Sequence, residues 1–165
     1  MIIKSIKDVD DKLIRDFSCG VNSLDSFFVK HAFLNDQIGY GKTFVALEKN
    51  NVVGFFTLSS AQIEFESMPK DLNYSLPRYP IPAIRIARLA VSKKYQGKGF
   101  GKALLKEAFA KIVYASINVG VRIVLVDAKE TSKTFYEQFG FQLLKEDSLT
   151  YFISMSTVLD AIMNP

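Results

Sequence analysis

The sequence predicts an α/β or α+β domain, and three observations carry that prediction. Extended and helical patterns alternate along the chain in the order β, α, α, β, β, β, α, β, α, β, β. A nearly continuous apolar run, Val121 to Val126, reads as a central strand covered on both faces. A glycine-rich turn, Gln96-Gly97-Lys98-Gly99-Phe100-Gly101, joins the apolar run Ile84 to Val91 to a helical pattern from Phe100 to Ile117.

Ile2 to Ile6 alternates weakly, as an edge strand does, and Asp8 to Phe17 reads as a short helix ended by Ser18-Cys19-Gly20. Asn22 or Ser23 is the expected cap of the next helix. Its Leu24, Phe27, Phe28, His31, Ala32 and Leu34 form one apolar stripe, so His31 is expected to be packed rather than catalytic. Gly39-Tyr40-Gly41 closes that helix. Thr43 to Leu47 and Val52 to Leu58 flank Glu48-Lys49-Asn50-Asn51 as a hairpin. Ser60 to Pro82 holds Pro69, Pro77, Pro80 and Pro82 and is expected to be a long loop. Pro82 to Val91 is the strand before the turn. The helix after the turn is expected to bury Leu104, Leu105, Ala108, Ile112 and Val113, with Lys98, Lys102 and Lys106 on its outer side. Thr131 is placed to cap a short helix containing Phe135, Tyr136 and Phe139, which Gly140 stops. Phe141 to Leu144 and Leu149 to Met155 read as a closing antiparallel pair, and Ser156 to Met163 as a last helical turn or two.

With 165 residues and no linker or repeat, residues 1–165 are expected to form one domain. The 48% hydrophobic and 23% charged shares exclude a disordered chain. No apolar stretch approaches the ~18 residues of a membrane span. The start, Met1-Ile2-Ile3-Lys4, lacks a signal-peptide layout. The single cysteine, Cys19, excludes an internal disulfide and suits a reducing cytoplasm, and no cluster has metal-ligand spacing. The net charge of +4 permits an acidic partner without demanding one, but lysines concentrate from Lys93 to Lys111, around the glycine turn.

A strand, a glycine turn and a helix N-terminus together present unpaired backbone N–H groups and the positive end of a helix dipole, a place for phosphate. The turn is not a phosphate loop of the Lys-Ser/Thr type, and Gln96 stands where a dinucleotide fingerprint needs its first glycine.

The combination of Arg88-Leu89-Ala90-Val91, Tyr95 to Gly101, Val124 to Ala128 and Phe135-Tyr136-Glu137-Gln138-Phe139-Gly140-Phe141 resembles the GNAT superfamily of N-acetyltransferases. The resemblance implies a mixed, mostly antiparallel sheet of about six to seven strands with helices on both faces. Phe17-Ser18-Cys19-Gly20, Leu24 to Phe27, Gly41 to Ala46 and Val53 to Ser59 further resemble the GNAT toxins of bacterial toxin–antitoxin pairs, which acetylate aminoacyl-tRNA.

The family's acyl donor is acetyl-CoA, used in direct transfer without a covalent acetyl-enzyme. The match implies that Gln96, Gly97, Gly99, Phe100 and Gly101 hold its pyrophosphate through main-chain N–H groups, with Lys98 and Lys102 as nearby charges; a solvated helix face is the alternative for the lysines. Backbone groups of Leu89 and Val91 would line the pantetheine arm. Tyr136 matches the family's catalytic acid, against the alternative of a core aromatic. Position 129 carries lysine where the wider family often has asparagine. Many members carry a glutamate base on the strand before the turn; Ile84 to Arg88 has none, which favours an α-amine of pKa about 8 over lysine, unless Glu64 or Glu66 supplies a base. Arg78, Arg85, Arg88 and Lys93, with Lys94, Lys129 and Lys133, form a candidate basic rim for an RNA acceptor stem, ordinary ion pairs being the alternative. The implied partners are acetyl-CoA, aminoacyl-tRNA, a small DNA-binding antitoxin and a second copy of the chain, with no membrane. Acetylation of a small amine, peptide or protein N-terminus is the alternative activity, and a non-catalytic acyl-CoA-binding module is the rival outside enzymology.

Overall fold

The structure, a computed structural model, describes residues 1–73, 76–145 and 148–163. In chain order its elements are β1 (Ile2–Ser5), α1 (Asp11–Arg15), α2 (Asn22–Lys30), α3 (Ala32–Gln37), β2 (Lys42–Glu48), β3 (Asn51–Ile63), α4 (Lys70–Asn73), β4 (Ile81–Val91), α5 (Phe100–Ser116), β5 (Ile123–Asp127), α6 (Lys133–Glu137), β6 (Gln142–Leu143), β7 (Thr150–Ser154) and α7 (Met155–Met163). The strands form one sheet in the order β1-β2-β3-β4-β5-β7-β6. Strands β4 and β5 run parallel, with Ala83 opposite Ile123. The pairs β1–β2, β2–β3, β5–β7 and β6–β7 are antiparallel. This is the mixed, mostly antiparallel sheet that the sequence predicts.

Contacts divide the chain into two units, Met1–Ser59 with Ala87–Ala108, and Ser60–Ile86 with Phe109–Pro165. The core of the first unit is aromatic. Phe28 stacks on Phe55 at 4.3 Å, and Phe17 meets both rings edge-on at 4.8 and 5.4 Å. Burying each such ring contributes about 2–3 kcal/mol. Gly54 lets β3, β4 and α5 come together: a Cβ there would stand 2.4 Å from the Ala90 carbonyl oxygen and 2.7 Å from Leu104 Cδ1. That close approach fixes the strand and helix on either side of the glycine turn.

In the second unit, Met68, Ile81, Ala83, Ile123, Leu125 and Phe152 form one core cluster. The β5 run is buried from Ile123 to Val126, as a strand covered on both faces requires.

Several local expectations are corrected. Val21, not Asn22 or Ser23, occupies the cap position of α2 and makes no side-chain cap bond. Asp25 instead reaches back, accepting from the Cys19 N–H at 2.7 Å and the Ser18 hydroxyl at 3.0 Å. The expected single helix through Leu34 breaks at His31 (φ −124°, ψ −27°). Beyond the break only Ala32 of the stripe stays in the core; His31 and Leu34 are exposed, as is Phe33. Strand β3 runs on to Ile63, because Ser59 to Ile63 keeps a two-residue alternation of half-buried and exposed positions. The expected long loop is therefore shorter and also holds a 3-10 turn, Phe65–Ser67, and α4. Residues 74 and 75 of that loop, 146 and 147 within the closing pair, and 164 and 165 lie outside the described residues. Thr131 does not cap α6; it sits inside the 3-10 turn Glu130–Ser132, and α6 begins after Ser132. Val113 is only half-buried, and Phe109 takes the core position instead.

Candidate active site

Strand β4 ends at Val91, the 3-10 turn Lys93–Tyr95 follows, and the glycine turn leads into α5. Gly97 (φ +71°) and Gly99 (φ +82°) take left-handed conformations, and a Cβ on either would meet nothing within 4 Å. The outer side of the turn is thus open. Among the described residues, no main-chain bond outside the regular elements uses an N–H of residues 96–101 as donor. Open space, left-handed glycines and unpaired N–H groups at a 17-residue helix fit the diphosphate of acetyl-CoA.

Gln96 does more than its sequence position suggests. Its side-chain amide donates to the Cys19 carbonyl at 2.8 Å and the Val91 carbonyl at 2.9 Å. The Lys93 N–H donates to the Ser18 carbonyl at 2.9 Å. These bonds tie the loop after α1 to the entry of the turn. One lone pair of the Val91 carbonyl is therefore already engaged within the chain, whereas Leu89 is half-buried on the same strand. Lys98 Nζ donates to the Lys94 carbonyl at 2.8 Å and lies 5.8 Å from the Tyr95 ring centroid; Lys102 is exposed in the first turn of α5. Phe100 meets Tyr95 edge-on at 5.4 Å.

The Cys19 thiol is buried beside Asp25. Burial first, and then the hydrogen bond to Asp25, push its pKa to about 11, so it is an inert thiol at neutral pH. Burial acts to raise Asp25, but the donors around it outweigh that and hold the carboxyl below its usual range.

Arg88 spreads its guanidinium over the Phe27 ring, 3.6 Å from the centroid. Burial lowers its pKa, yet a guanidinium stays charged at neutral pH. Among the described residues no carboxylate pairs with it. Arg85 differs: it pairs with Asp127, whose other oxygen accepts from the Thr150 hydroxyl at 2.8 Å. Arg78 is exposed in the segment before β4, and Lys93 is exposed beside Gly20. Lys133 pairs with Glu130 at 2.6 Å, and Glu64 and Glu66 are exposed.

Tyr136 lies in α6 with 6% of its surface exposed. Phe135 and Phe141 meet its ring edge-on at 5.1 and 5.4 Å. Burial pushes its pKa up to about 12, so it is a phenol throughout the neutral range. Its hydroxyl has no hydrogen-bond partner among the described residues, and no fully buried side-chain polar atom there lacks one. The hydroxyl oxygen is therefore not wholly sealed from solvent. The neighbouring Tyr151 hydroxyl, by contrast, donates to Glu137 at 3.1 Å.

Sequence reasoning missed the amide of Gln96 and the role of Asp25; for Arg85 it offered an ion pair as the alternative, and the partner is Asp127. A polar residue at each position is the only signal, and none of them names its partner, whether near in the chain as for Asp25 or far as for Gln96 and Arg85. Among the described residues no group of histidine, cysteine and acidic side chains is placed to hold a metal, and no helix is long and apolar enough to cross a membrane.

Comparison with known proteins agrees with this geometry. The Acetyltransferase (GNAT) domain family matches residues 39–143. A tRNA-acetylating toxin of Mycobacterium tuberculosis (strain ATCC 25618 / H37Rv) is 35% identical over 153 residues, 92% of this chain and 90% of that protein. The structure of AtaT complexed with acetyl-methionyl-tRNAfMet superposes with a TM-score of 0.84 at 25% identity, covering 96% of each chain. AtaTR bound with AcCoA superposes with a TM-score of 0.81 at 26% identity, covering 96% of this chain and 95% of that one. The family match and the extent of the toxin's likeness place this chain among the GNAT acetyltransferases, enzymes that use acetyl-CoA.

Proposed function

We propose that the chain acetylates the α-amino group of aminoacyl-tRNA and so blocks translation, as the toxin of a toxin–antitoxin pair in the cytoplasm, with residues 1–165 acting as one domain. One observation carries the acceptor: a tRNA-acetylating toxin shares 35% of its residues over 92% of this chain. The structure of AtaT with an acetylated aminoacyl-tRNA supports the same class. The local chemistry agrees. Strand β4 brings no carboxylate, and Arg85 at its centre is tied to Asp127. An acceptor of pKa about 8 needs little help to lose its proton, whereas a lysine near 10.4 needs a strong base.

Acetyl-CoA supplies an acetyl thioester. The main-chain N–H groups of residues 96–101, with Lys98 and Lys102, hold its diphosphate, and the backbone of Leu89 and Val91 lines its arm. The amine nitrogen bonds to the acetyl carbon, the carbon–sulfur bond breaks, and sulfur leaves with the electron pair. Nitrogen gives up one proton and sulfur gains one. Tyr136 serves that gain: its phenol keeps its proton at neutral pH and donates to the departing sulfur. A thiol has a pKa near 8.5, so the phenol is the weaker acid. Tyr136 thus acts as a hydrogen-bond donor that stabilises the departing sulfur in the transition state, and the proton released by nitrogen balances the one that completes the thiol. Arg78, Arg85, Arg88 and Lys93 are the proposed contacts to the acceptor, Arg88 being the desolvated cation that no carboxylate among the described residues pairs with.

Incubation with labelled acetyl-CoA and charged total tRNA tests the acceptor. Label is expected on the aminoacyl end; label on small amines or protein N-termini instead overturns the reading. Tyr136→Phe should lower turnover by about 10²-fold or more while keeping acetyl-CoA affinity, and unchanged turnover would remove Tyr136 from its role.

A further inference from the structure

A second feature of the first unit lies outside the glycine turn. A cavity of about 280 Å³ opens between α1, the β2–β3 hairpin turn and the 3-10 turn after β4, with Lys12, Asp16, Asn50, Lys93 and Lys94 in its walls. None of residues 96–101 lines it. Among the described residues no carboxylate pairs with any of its three lysines. Three lysines against one carboxylate, Asp16, give the hollow a net positive lining, which favours an anionic group.

The walls are built, not loose. The Lys93 N–H is bonded to the Ser18 carbonyl, Ser92 N–H to the Val53 carbonyl at 2.8 Å and Tyr95 N–H to the Ser92 carbonyl at 2.8 Å. Gly20 (φ +88°) makes room for the Lys93 stem, since a Cβ there would stand 2.6 Å from Lys93 Cε. The opposite rim is the hairpin turn, where Lys49 and Asn50 take left-handed conformations (φ +47° and +59°). Its volume is just below the ~300 Å³ at which small-molecule clefts begin, enough for a phosphate and its sugar but not for a whole coenzyme.

We propose that this cavity docks one backbone nucleotide of the RNA acceptor, with Lys12, Lys93 and Lys94 on the phosphate and Asp16 accepting from the ribose 2′-hydroxyl. The proposal rests on the tRNA reading above. Asp16 separates RNA from DNA: it repels every phosphate, but a ribose 2′-hydroxyl beside the phosphate donates to it and offsets that repulsion, and DNA has no such hydroxyl.

The experiment measures binding of deacylated total tRNA to the full chain by fluorescence anisotropy, between about 50 and about 200 mM salt. For the Lys12→Gln/Lys94→Gln double variant we expect the tRNA Kd to rise about tenfold or more at the low-salt end, and the slope of log K against log salt to flatten by about one per lysine. Acetyl-CoA affinity by calorimetry and the thermal midpoint should stay at the wild-type values. Asp16→Asn should narrow the preference for tRNA over a DNA hairpin. An unchanged tRNA slope, absence of tRNA binding by the wild type, a parallel loss of acetyl-CoA affinity, or displacement of tRNA by a short acidic peptide would each overturn the assignment. If the wild type binds tRNA with the expected slope but leaves charged tRNA unacetylated, the acceptor reading fails while the cavity assignment stands.

Discussion

Replacing Gly54 with alanine drives a methyl group into the Ala90 carbonyl oxygen at 2.4 Å and Leu104 Cδ1 at 2.7 Å. Carbon–oxygen contacts settle near 3.3–3.6 Å, so β3 and β4 must part by about 1 Å. Leucine can change rotamer; a backbone carbonyl in a paired strand cannot move without its ladder. The cost therefore sits at the upper end of overpacking, about 3 kcal/mol. For a domain of this length that lowers Tm by about 6–12 °C. The displaced end of β4 leads within a few residues into the glycine turn, so acetyl-CoA affinity should fall as well. Thermal unfolding followed by circular dichroism, paired with calorimetric titration of acetyl-CoA, reads both effects. Gly99→Ala is the contrast: its Cβ meets nothing within 4 Å, and only the left-handed φ resists, at about 1–2 kcal/mol. A Gly54→Ala protein that melts within about 2 °C of wild type would refute the reasoning.

Two further perturbations probe buried polar groups. Asp36 is 1% exposed, accepts from the Thr43 N–H at 2.9 Å and pairs with Lys7 and Lys42 at 3.3 and 3.2 Å. Both lysines are half-exposed and can return to water, so Asp36→Asn, which keeps an acceptor, should cost under about 1 kcal/mol. Asp36→Ala strands the Thr43 N–H and should cost about 2–3 kcal/mol by urea denaturation; equal costs would contradict this account. Tyr136 has a folded pKa of about 12 against an unfolded value near 10. The unfolded chain loses this proton first, so the contribution is intact below pH ~10 and lost as pH rises through ~12, about 2–3 kcal/mol in all. Tyr136→Phe should flatten that alkaline slope, and an unaltered slope would place the phenol in water.

The turn was legible because glycine spacing, a preceding apolar run and a following helical period are all local signals. Tyr136 was legible as a residue of a motif, though the burial of its ring, with no hydrogen-bond partner for its hydroxyl among the described residues, was not. Much of what escaped depended on partners distant in sequence. Gln96 reads as one more polar turn residue until Cys19, 77 positions earlier, comes beside it. Arg85 and Asp127 are 42 positions apart and meet only because β4 and β5 are parallel. His31 failed for a different reason. Its spacing continues an apolar stripe, but the break between α2 and α3 takes it off that side, and periodicity has no term for a one-residue break.

The Gln96 amide has a thermodynamic consequence for ligand capture. By clasping two carbonyls from different parts of the chain, it immobilises the mouth of the glycine turn before any coenzyme arrives. The entropy of ordering that segment is thus lost during folding, so each N–H contact proposed for the diphosphate would translate more fully into affinity. Loosening that clasp would leave every donor in place and still weaken the grip.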